Sequence, residues 1–109
     1  MGLPQREAAL DALGSPVRRT ILHLLAPGPL PVGEIAAALP VSRPAVSKHL
    51  HILETAHLVA HEKRGSRNFF RLDSQGFDAA RASLDSFWEG TLARFALAAR
   101  NTAPRRKTK

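Results

Sequence analysis

The sequence predicts a mainly helical fold with one small β-hairpin, because the spacing of its apolar residues changes along the chain. Up to Glu54 and again after Asp73, apolar residues recur every three or four positions, which is typical of amphipathic helices. Between Leu58 and Leu72 the period becomes two, which indicates β-strands. The chain has 109 residues, of which 44% are hydrophobic, and this is enough for one domain with one core.

Capping residues divide the first part of the chain into helices. Pro4 opens the first helix and Gly14 ends it. Ser15 and Pro16 are typical of an N-cap and a first helical position, so they predict the start of a second helix. The run Pro27–Gly28–Pro29 ends this second helix.

Two more helices are predicted over residues 31–39 and 42–54, and only Pro40 and Val41 separate them. Ser42 is the expected N-cap of the fourth helix. One side of that helix is apolar at positions i, i+4 and i+7 and is expected to be buried. The residues on this side are Val46, Leu50 and Leu53.

A β-hairpin is predicted after the fourth helix. Residues 58–64 and 68–72 alternate with a period of two, and the intervening Gly65–Ser66 fits a two-residue type II′ turn with glycine first. Phe70 and Leu72 are expected to face the core.

A long last helix completes the predicted fold, with Asp73 or Ser74 as its N-cap. Its apolar residues nearly follow a heptad and are more than one small body can cover. We therefore expect a two-fold dimer formed through the first and last helices. The residues expected at this interface are Leu10, Leu13, Leu84, Phe87, Trp88, Leu92 and Phe95.

The order of elements, α-α-α-α-β-β-α, is that of a winged helix-turn-helix, a mainly α fold with a small β-hairpin. In this fold the helix over 31–39 is the supporting helix, 42–54 is the recognition helix and the hairpin is the wing. Residues 1–100 are expected to form this single domain, and residues 101–109 a basic, disordered tail.

The polar side of helix 42–54 carries hydrogen-bond donors and no acidic residue, which suits the major groove of double-stranded DNA. Arg43 can donate two hydrogen bonds to guanine, and the short Ser47 lets the helix sit deep. For His49, beside the buried stripe, a packed and hydrogen-bonded role is favoured over metal binding. The predicted DNA contacts are Ser42, Arg43, Ser47, Lys48, His49 and His51 on the helix, and Lys63, Arg64 and Arg67 on the wing.

The positive charge of the chain is localised. The net charge is +7, from 16 Lys and Arg and 9 Asp and Glu. Residues 42–72 contain six cations and two acids, a net charge of +4, whereas residues 73–95 contain two cations and four acids, a net charge of −2. A basic face confined to one segment is typical of a polyanion binder. Cations at a hairpin tip also protect exposed strand edges, but here they lie beside the recognition helix.

Four segments, LGSPVRRTILHLL, PVGEIAAAL, VSRPAVSKHLHIL and RNFFRLD, resemble the winged helix-turn-helix repressors of the ArsR/SmtB type. The likeness runs from about Leu13 to Trp88. The third segment matches the recognition-helix pattern S-x-x-x-x-S-x-H-L-x-x-L of that family. The resemblance implies a dimer built mainly from the first and last helices. It also implies repression by operator occupancy, often over the repressor's own promoter.

The chain departs from the family at two points. It has no cysteine, so the family's cysteine metal sites and all disulfides are excluded. The acidic residues Asp78, Asp85 and Glu89 of the last helix have no histidine partner on that helix, so we expect neither a metal nor another cofactor. Pro40 occupies the turn where glycine is common, so that turn must be built differently.

Other classes of function are disfavoured. The sequence has no Gly-x-Ser-x-Gly, phosphate-loop or His-Glu-x-x-His pattern, so an enzyme is not expected. It also has no apolar run long enough to span a bilayer and no secretory signal, so a cytoplasmic protein without membrane contacts is expected.

The leading interpretation is a sequence-specific, homodimeric transcriptional repressor. It would bind an inverted-repeat operator with helix 42–54 in the major groove and the wing, residues 63–67, on the flanking groove or backbone. The alternative is a protein–protein adaptor that uses the winged helix without specific DNA readout. A steep fall of DNA affinity with salt favours the first interpretation, and no DNA binding at low salt favours the second.

Overall fold

The computed structural model describes residues 3–102. The predicted segment 101–109 lies outside the described residues except for its first two positions, which continue the last helix. In chain order the elements are α1 (Leu3–Ala12), α2 (Pro16–Leu25), β1 (Leu30–Pro31), α3 (Val32–Ala37), α4 (Arg43–Thr55), β2 (Val59–Arg64), β3 (Arg67–Leu72) and α5 (Ser74–Thr102).

The winged helix-turn-helix prediction is confirmed, with one strand added. The two-residue strand β1 pairs with β3, so the predicted hairpin is part of a three-stranded antiparallel sheet of order β1-β3-β2. In this pairing Leu30 lies opposite Phe70 and Pro31 lies opposite Phe69. The wing is therefore joined to the residues that lead into α3.

The third helix is shorter than predicted. Pro31, predicted as its first residue, is instead its N-cap, with the extended backbone that pairing with β3 requires (φ −75°, ψ 155°). The helix ends at Ala37 rather than Leu39, and its C-cap Ala38 keeps a right-handed conformation. No residue of the turn into α4 has a positive φ, so this turn accommodates Pro40 without a glycine.

The predicted caps and the hairpin turn form. The hydroxyl oxygens of Ser15 and Ser42 each accept a hydrogen bond of 3.2 Å from the backbone N–H three residues further on. Of the two candidates for α5, Asp73 is the cap, because its carboxylate accepts a 3.0 Å bond from the N–H of Gln75. Gly65 has a φ of 63° at the first position of the wing turn, as a type II′ turn requires.

One main apolar core joins the helix-turn-helix to the sheet. Phe70 and Leu72 pack against it partly buried, as predicted. A smaller cluster of Ala9, Ala79 and Ala80 joins α1 to the start of α5. The largest fully buried side chains are Ile21, Leu25, Ile35, Val46, Leu50, Leu53, Leu58 and Val59.

Helix α4 ends in a Schellman motif without glycine. The N–H of Leu58 donates to the carbonyl of Leu53 (2.9 Å), and the N–H of His57 donates to that of Glu54 (3.0 Å). His57 has a φ of 60°, the left-handed conformation that this position needs and that glycine would adopt at lower cost.

Helix α5 begins in direct backbone contact with the end of α4. The N–H of Gly76 donates to the carbonyl of His57 (2.6 Å), and the N–H of Asp73 donates to that of Leu58 (2.9 Å). A Cβ at position 76 would lie 2.4 Å from the His57 oxygen and 2.5 Å from the Ala56 oxygen. Only glycine allows this approach.

Candidate nucleic-acid interface

Helix α4 has the two sides that the sequence predicts. Its apolar stripe is buried, with at most 1% of each side chain accessible to solvent. Arg43 and Ser47 are exposed on the other side, in the first half of the helix. The predicted contact residues that are exposed on or beside this helix are Ser42, Arg43, Ser47, Lys48 and His51.

The guanidinium group of Arg18 joins α1, α2 and α4. Its Nε donates to the carbonyl of Ala12 (2.7 Å) and its Nη2 to that of Asp11 (3.3 Å), so it binds two carbonyls at the end of α1. The Asp11 carbonyl also accepts from the N–H of Gly14 (3.0 Å). Its Nη1 lies 3.3 Å from Nδ1 of His49 on α4. One side chain thus fixes the first helix and the recognition helix relative to each other.

His49 is half-buried on the side of α4 that packs against α2, away from Ser47 and His51. This agrees with the packed, hydrogen-bonded role expected for it. An arginine can only donate, so Nδ1 of His49 must accept and carries no proton in this contact. Burial, and then the positive charges of Arg18 and Lys48, lower the pKa of His49 below its ordinary value.

The wing has two faces, because successive side chains of a strand point in opposite directions. The strand pairs His61–Phe70, Lys63–Asn68 and Val59–Leu72 lie on one face, which we call the inner face because Phe70 and Leu72 pack against the core. The pairs Ala60–Arg71, Glu62–Phe69 and Arg64–Arg67 lie on the other, the outer face. The three predicted wing cations are therefore divided between the two faces.

On the outer face, the two arginines are held in place. Arg64 and Arg67 stack on the ring of Phe69, with guanidinium-to-centroid distances of 4.7 and 5.4 Å. Arg64 donates to Glu62 at 2.8 Å, and Arg67 lies 3.5 Å from the carboxylate of Glu34 on α3. These contacts offset the repulsion between two like charges placed opposite each other.

On the inner face, the wing borders α4. A groove of about 210 Å³ separates Ser47 and His51 of α4 from Asn68 of β3. At the other end of the wing, a groove of about 340 Å³ is lined by Arg43 of α4 and by Ser66, Arg67 and Asn68 of the wing. Asn68 is the polar residue common to both grooves.

A contact between the side chains of His61 and Glu54 lies beside the inner groove, which Glu54 lines. Nδ1 of His61 lies 2.6 Å from the carboxylate of Glu54, and the His61 ring packs at 5.1 Å on Phe70. This contact ties the end of the recognition helix to the base of the wing.

Sequence reasoning missed three residues of this region: Arg18, Phe69 and Asn68. The partners of Arg18 are backbone carbonyls and a residue 31 positions away, which no local pattern reveals. Phe69 and Asn68 could have been found from the alternation of the strand, which separates them onto opposite faces.

The apolar residues of the last helix are exposed in the single chain. Phe87, Trp88 and Phe95 have 57%, 49% and 70% of their surface accessible, and Leu84 and Leu92 are also exposed. By contrast, Leu10 on α1 and Leu13, which directly follows α1, are partly buried against the smaller core cluster of the same chain. Their position between α1 and α5 leaves only part of each side chain for a partner.

Two other features of the described residues bear on function. No helix among them has the length and apolar character needed to cross a membrane. Nor does any group of three His, Asp or Glu side chains within residues 3–102 converge to hold a metal ion.

A recognition helix with exposed donors, a supporting helix and a basic wing define a winged helix-turn-helix DNA-binding regulator. A family model described as a helix-turn-helix domain matches residues 13–62. The HTH-type transcriptional regulator Rv2034 of Mycobacterium tuberculosis is 49% identical over 90 residues, which are 83% of this chain and 84% of that protein. The chain belongs to the ArsR/SmtB-type winged helix-turn-helix transcriptional regulators, which are not enzymes.

Two further similarities add detail about relatives. The transcriptional repressor SdpR of Bacillus subtilis is 35% identical over 63 residues, which are 58% of this chain and 70% of that protein. The solution structure of the homodimeric winged helix-turn-helix DNA-binding domain of Mb0332 from Mycobacterium bovis has a TM-score of 0.64 and 26% identity. That likeness covers 97% of this chain and 90% of the Mb0332 domain.

Proposed function

We propose that this regulator is a homodimeric repressor that occupies an inverted-repeat operator, including one over its own promoter. Helix α4 enters the major groove, and the wing contacts the flanking groove or backbone. The observation that carries this proposal is the exposed side of α4, where donor side chains stand free of any acidic neighbour in the first half of the helix.

The proposed contacts fall into three groups. Ser42, Arg43 and Ser47 lie at the start of α4, the part of a recognition helix that meets base edges. Lys48 and His51 on α4 and Lys63, Arg64 and Arg67 on the wing suit phosphates, which set position rather than sequence. His49 contributes differently: its contact with Arg18 orients the recognition helix.

The second half of α5 supports a dimer. From Leu84 to Arg100 none of its residues is buried, although large apolar side chains recur there at helical spacing. An exposed stripe of this size is unfavourable in water, and a second copy of the chain would cover it. Leu84, Phe87, Trp88, Leu92 and Phe95 are the residues we propose at its centre, with Leu10 and Leu13 at its edge.

The names of two relatives agree with this proposal. SdpR is a transcriptional repressor, and the Mb0332 domain is homodimeric. Both share the helix-turn-helix region with this chain, so the same mode of action is the simplest one to test.

Footprinting on the DNA upstream of the protein's own coding sequence tests the proposal. We expect protection of two symmetric half-sites about one helical turn (~34 Å) apart. Binding measured by fluorescence anisotropy should fall steeply with salt, because phosphate contacts release counterions. Arg43→Ala should cost about 1–3 kcal/mol on the operator and less on random DNA. No binding to any duplex at low salt would contradict the proposal and favour the adaptor.

A further inference from the structure

The inner face of the wing contains a polar side chain that the charge pattern does not reveal. Asn68 is exposed and makes no side-chain hydrogen bond with any described residue, whereas its neighbour Arg67 stacks on Phe69 and pairs with Glu34. Both the amide oxygen and the amide N–H₂ of Asn68 are therefore free for a partner.

Asn68 stands between the two residues best placed to meet bases. It borders Arg43 in one groove and Ser47 in the other. Its partner across the strand pair is Lys63, which lies on the same face. Arg43, Ser47 and Asn68 thus border one another through the two grooves, and Lys63 lies opposite Asn68 on the same face of the wing. Three elements, α4, β2 and β3, contribute to this polar surface.

The residues of this surface differ in the DNA groups that their side chains can bind. Lys63 carries a full charge and suits a phosphate. The amide of Asn68 can also donate to a phosphate oxygen, but a phosphate would leave the acceptor oxygen of the amide unused. A carboxamide offers one donor and one acceptor side by side, which matches N7 and the amino group of adenine. The β3 backbone pairs with β2 at Asn68 and with β1 at the adjacent Phe69 and Phe70, which holds this amide in a defined place.

We infer that Asn68 is a specificity-determining residue: it reads a base edge, adenine by its chemistry, next to the base pairs met by Arg43 and Ser47. This inference rests on the proposed function, since it assumes that α4 enters the major groove. The recognition surface then includes the inner face of the wing. Arg67 also borders the groove beside Arg43, but its stacking on Phe69 and its pairing with Glu34 direct it to the DNA backbone.

The test compares two adjacent residues that lie on opposite faces of one strand. Asn68→Ala and Arg67→Ala are measured by fluorescence anisotropy on the footprinted operator and on random duplex DNA, over a range of salt. Asn68→Ala should weaken operator binding by roughly 10- to 100-fold, change random binding by less than about twofold, and leave the salt slope unchanged. Arg67→Ala should weaken both duplexes alike and flatten the slope by about one unit.

A set of operators with single base-pair changes locates the contact. Asn68→Ala should abolish discrimination at one base pair that is next to, and different from, the pair affected by Arg43→Ala. Thermal unfolding checks the fold, and the midpoint should not move, because the side chain of Asn68 makes no hydrogen bond with any described residue. Asn68→Gln, which keeps the amide but displaces it, should lose the same discrimination.

The outcomes separate the two levels of the proposal. Suppose that the wild-type protein prefers one sequence. If Asn68→Ala binds that sequence as tightly as the wild type, or if its affinities for operator and random DNA fall by the same factor, the inference is wrong and the proposed function stands. If wild-type protein shows no sequence preference, both are overturned.

Discussion

Replacing Gly76 by alanine tests the contact between the recognition helix and α5. The added Cβ would lie 2.4 Å from the His57 oxygen and 2.5 Å from the Ala56 oxygen, whereas a carbon and an oxygen normally approach to about 3.3 Å. The start of α5 must therefore move by about 1 Å away from the end of α4. The neighbouring elements cannot yield easily, because both oxygens belong to the backbone.

The magnitude follows from three contributions. Overpacking at a tight site costs about 1–3 kcal/mol, and weakening the 2.6 Å bond from the Gly76 N–H to His57 costs about 1 kcal/mol more. The greater helix propensity of alanine offsets at most about 1 kcal/mol of this destabilisation. We expect a net loss of about 2 kcal/mol in the free energy of unfolding, which lowers the thermal midpoint by roughly 10 °C.

Gly90→Ala is the matched control, since it makes the same change in the same helix. No atom lies within 4 Å of a Cβ at position 90, so only the propensity term applies and the protein should gain about 0.5–1 kcal/mol. Both variants are unfolded by urea and by heat at one protein concentration, because a dimer's stability depends on concentration. If Gly76→Ala were as stable as Gly90→Ala, the reasoning from the backbone contact would be refuted.

Three further predictions concern His57, Glu34 and His49. His57→Gly removes a left-handed non-glycine residue and should stabilise the protein by about 0.5–1 kcal/mol in urea unfolding; a loss of stability would contradict the Schellman assignment. Glu34→Gln frees Arg67 and removes a negative charge beside the wing, so it should raise affinity for random DNA by about two- to fivefold at low salt; an unchanged affinity would show that the pair does not limit Arg67. His49 should titrate below 6.5 by NMR, and Arg18→Ala should raise its pKa. Since the folded state then binds the proton more weakly, the contribution of His49 to stability is complete above its unfolded pKa and is lost as pH falls below about 6.5. A His49 pKa at the ordinary value for histidine would exclude the contact with Arg18.

The sequence predicted the helices and the recognition surface because their signals are local. The buried stripe of α4 is visible as a spacing of four and three residues, and Ser42 as a cap needs only the N–H of Ala45. The hairpin was predicted in the same way, from the two-residue period of its apolar residues and from Gly65 in the turn.

What the sequence could not show depends on contacts between distant residues. Strand β1 has two residues, too few for a period, and Pro31 imitates the first residue of a helix. His57 follows α4 in the left-handed conformation that glycine usually adopts at the end of a helix. Because the residue is not glycine, the sequence contained no sign that the helix ends there. To predict that the wing cations lie on two faces, one must know the register of β2 against β3. This register places Arg64 and Arg67 on one face and Lys63 on the other.

The backbone contact of Gly76 with His57 has a consequence for how such a dimer would meet its DNA. The wing separates α4 from α5 along the chain, but the residues that follow α4 are hydrogen-bonded directly to the start of α5. The two helices therefore turn as one rigid unit. Two recognition helices joined through α5 would then be held at a set distance and a set angle. An operator lengthened by one base pair rotates one half-site by about 34° relative to the other, and this unit has no hinge with which to follow it.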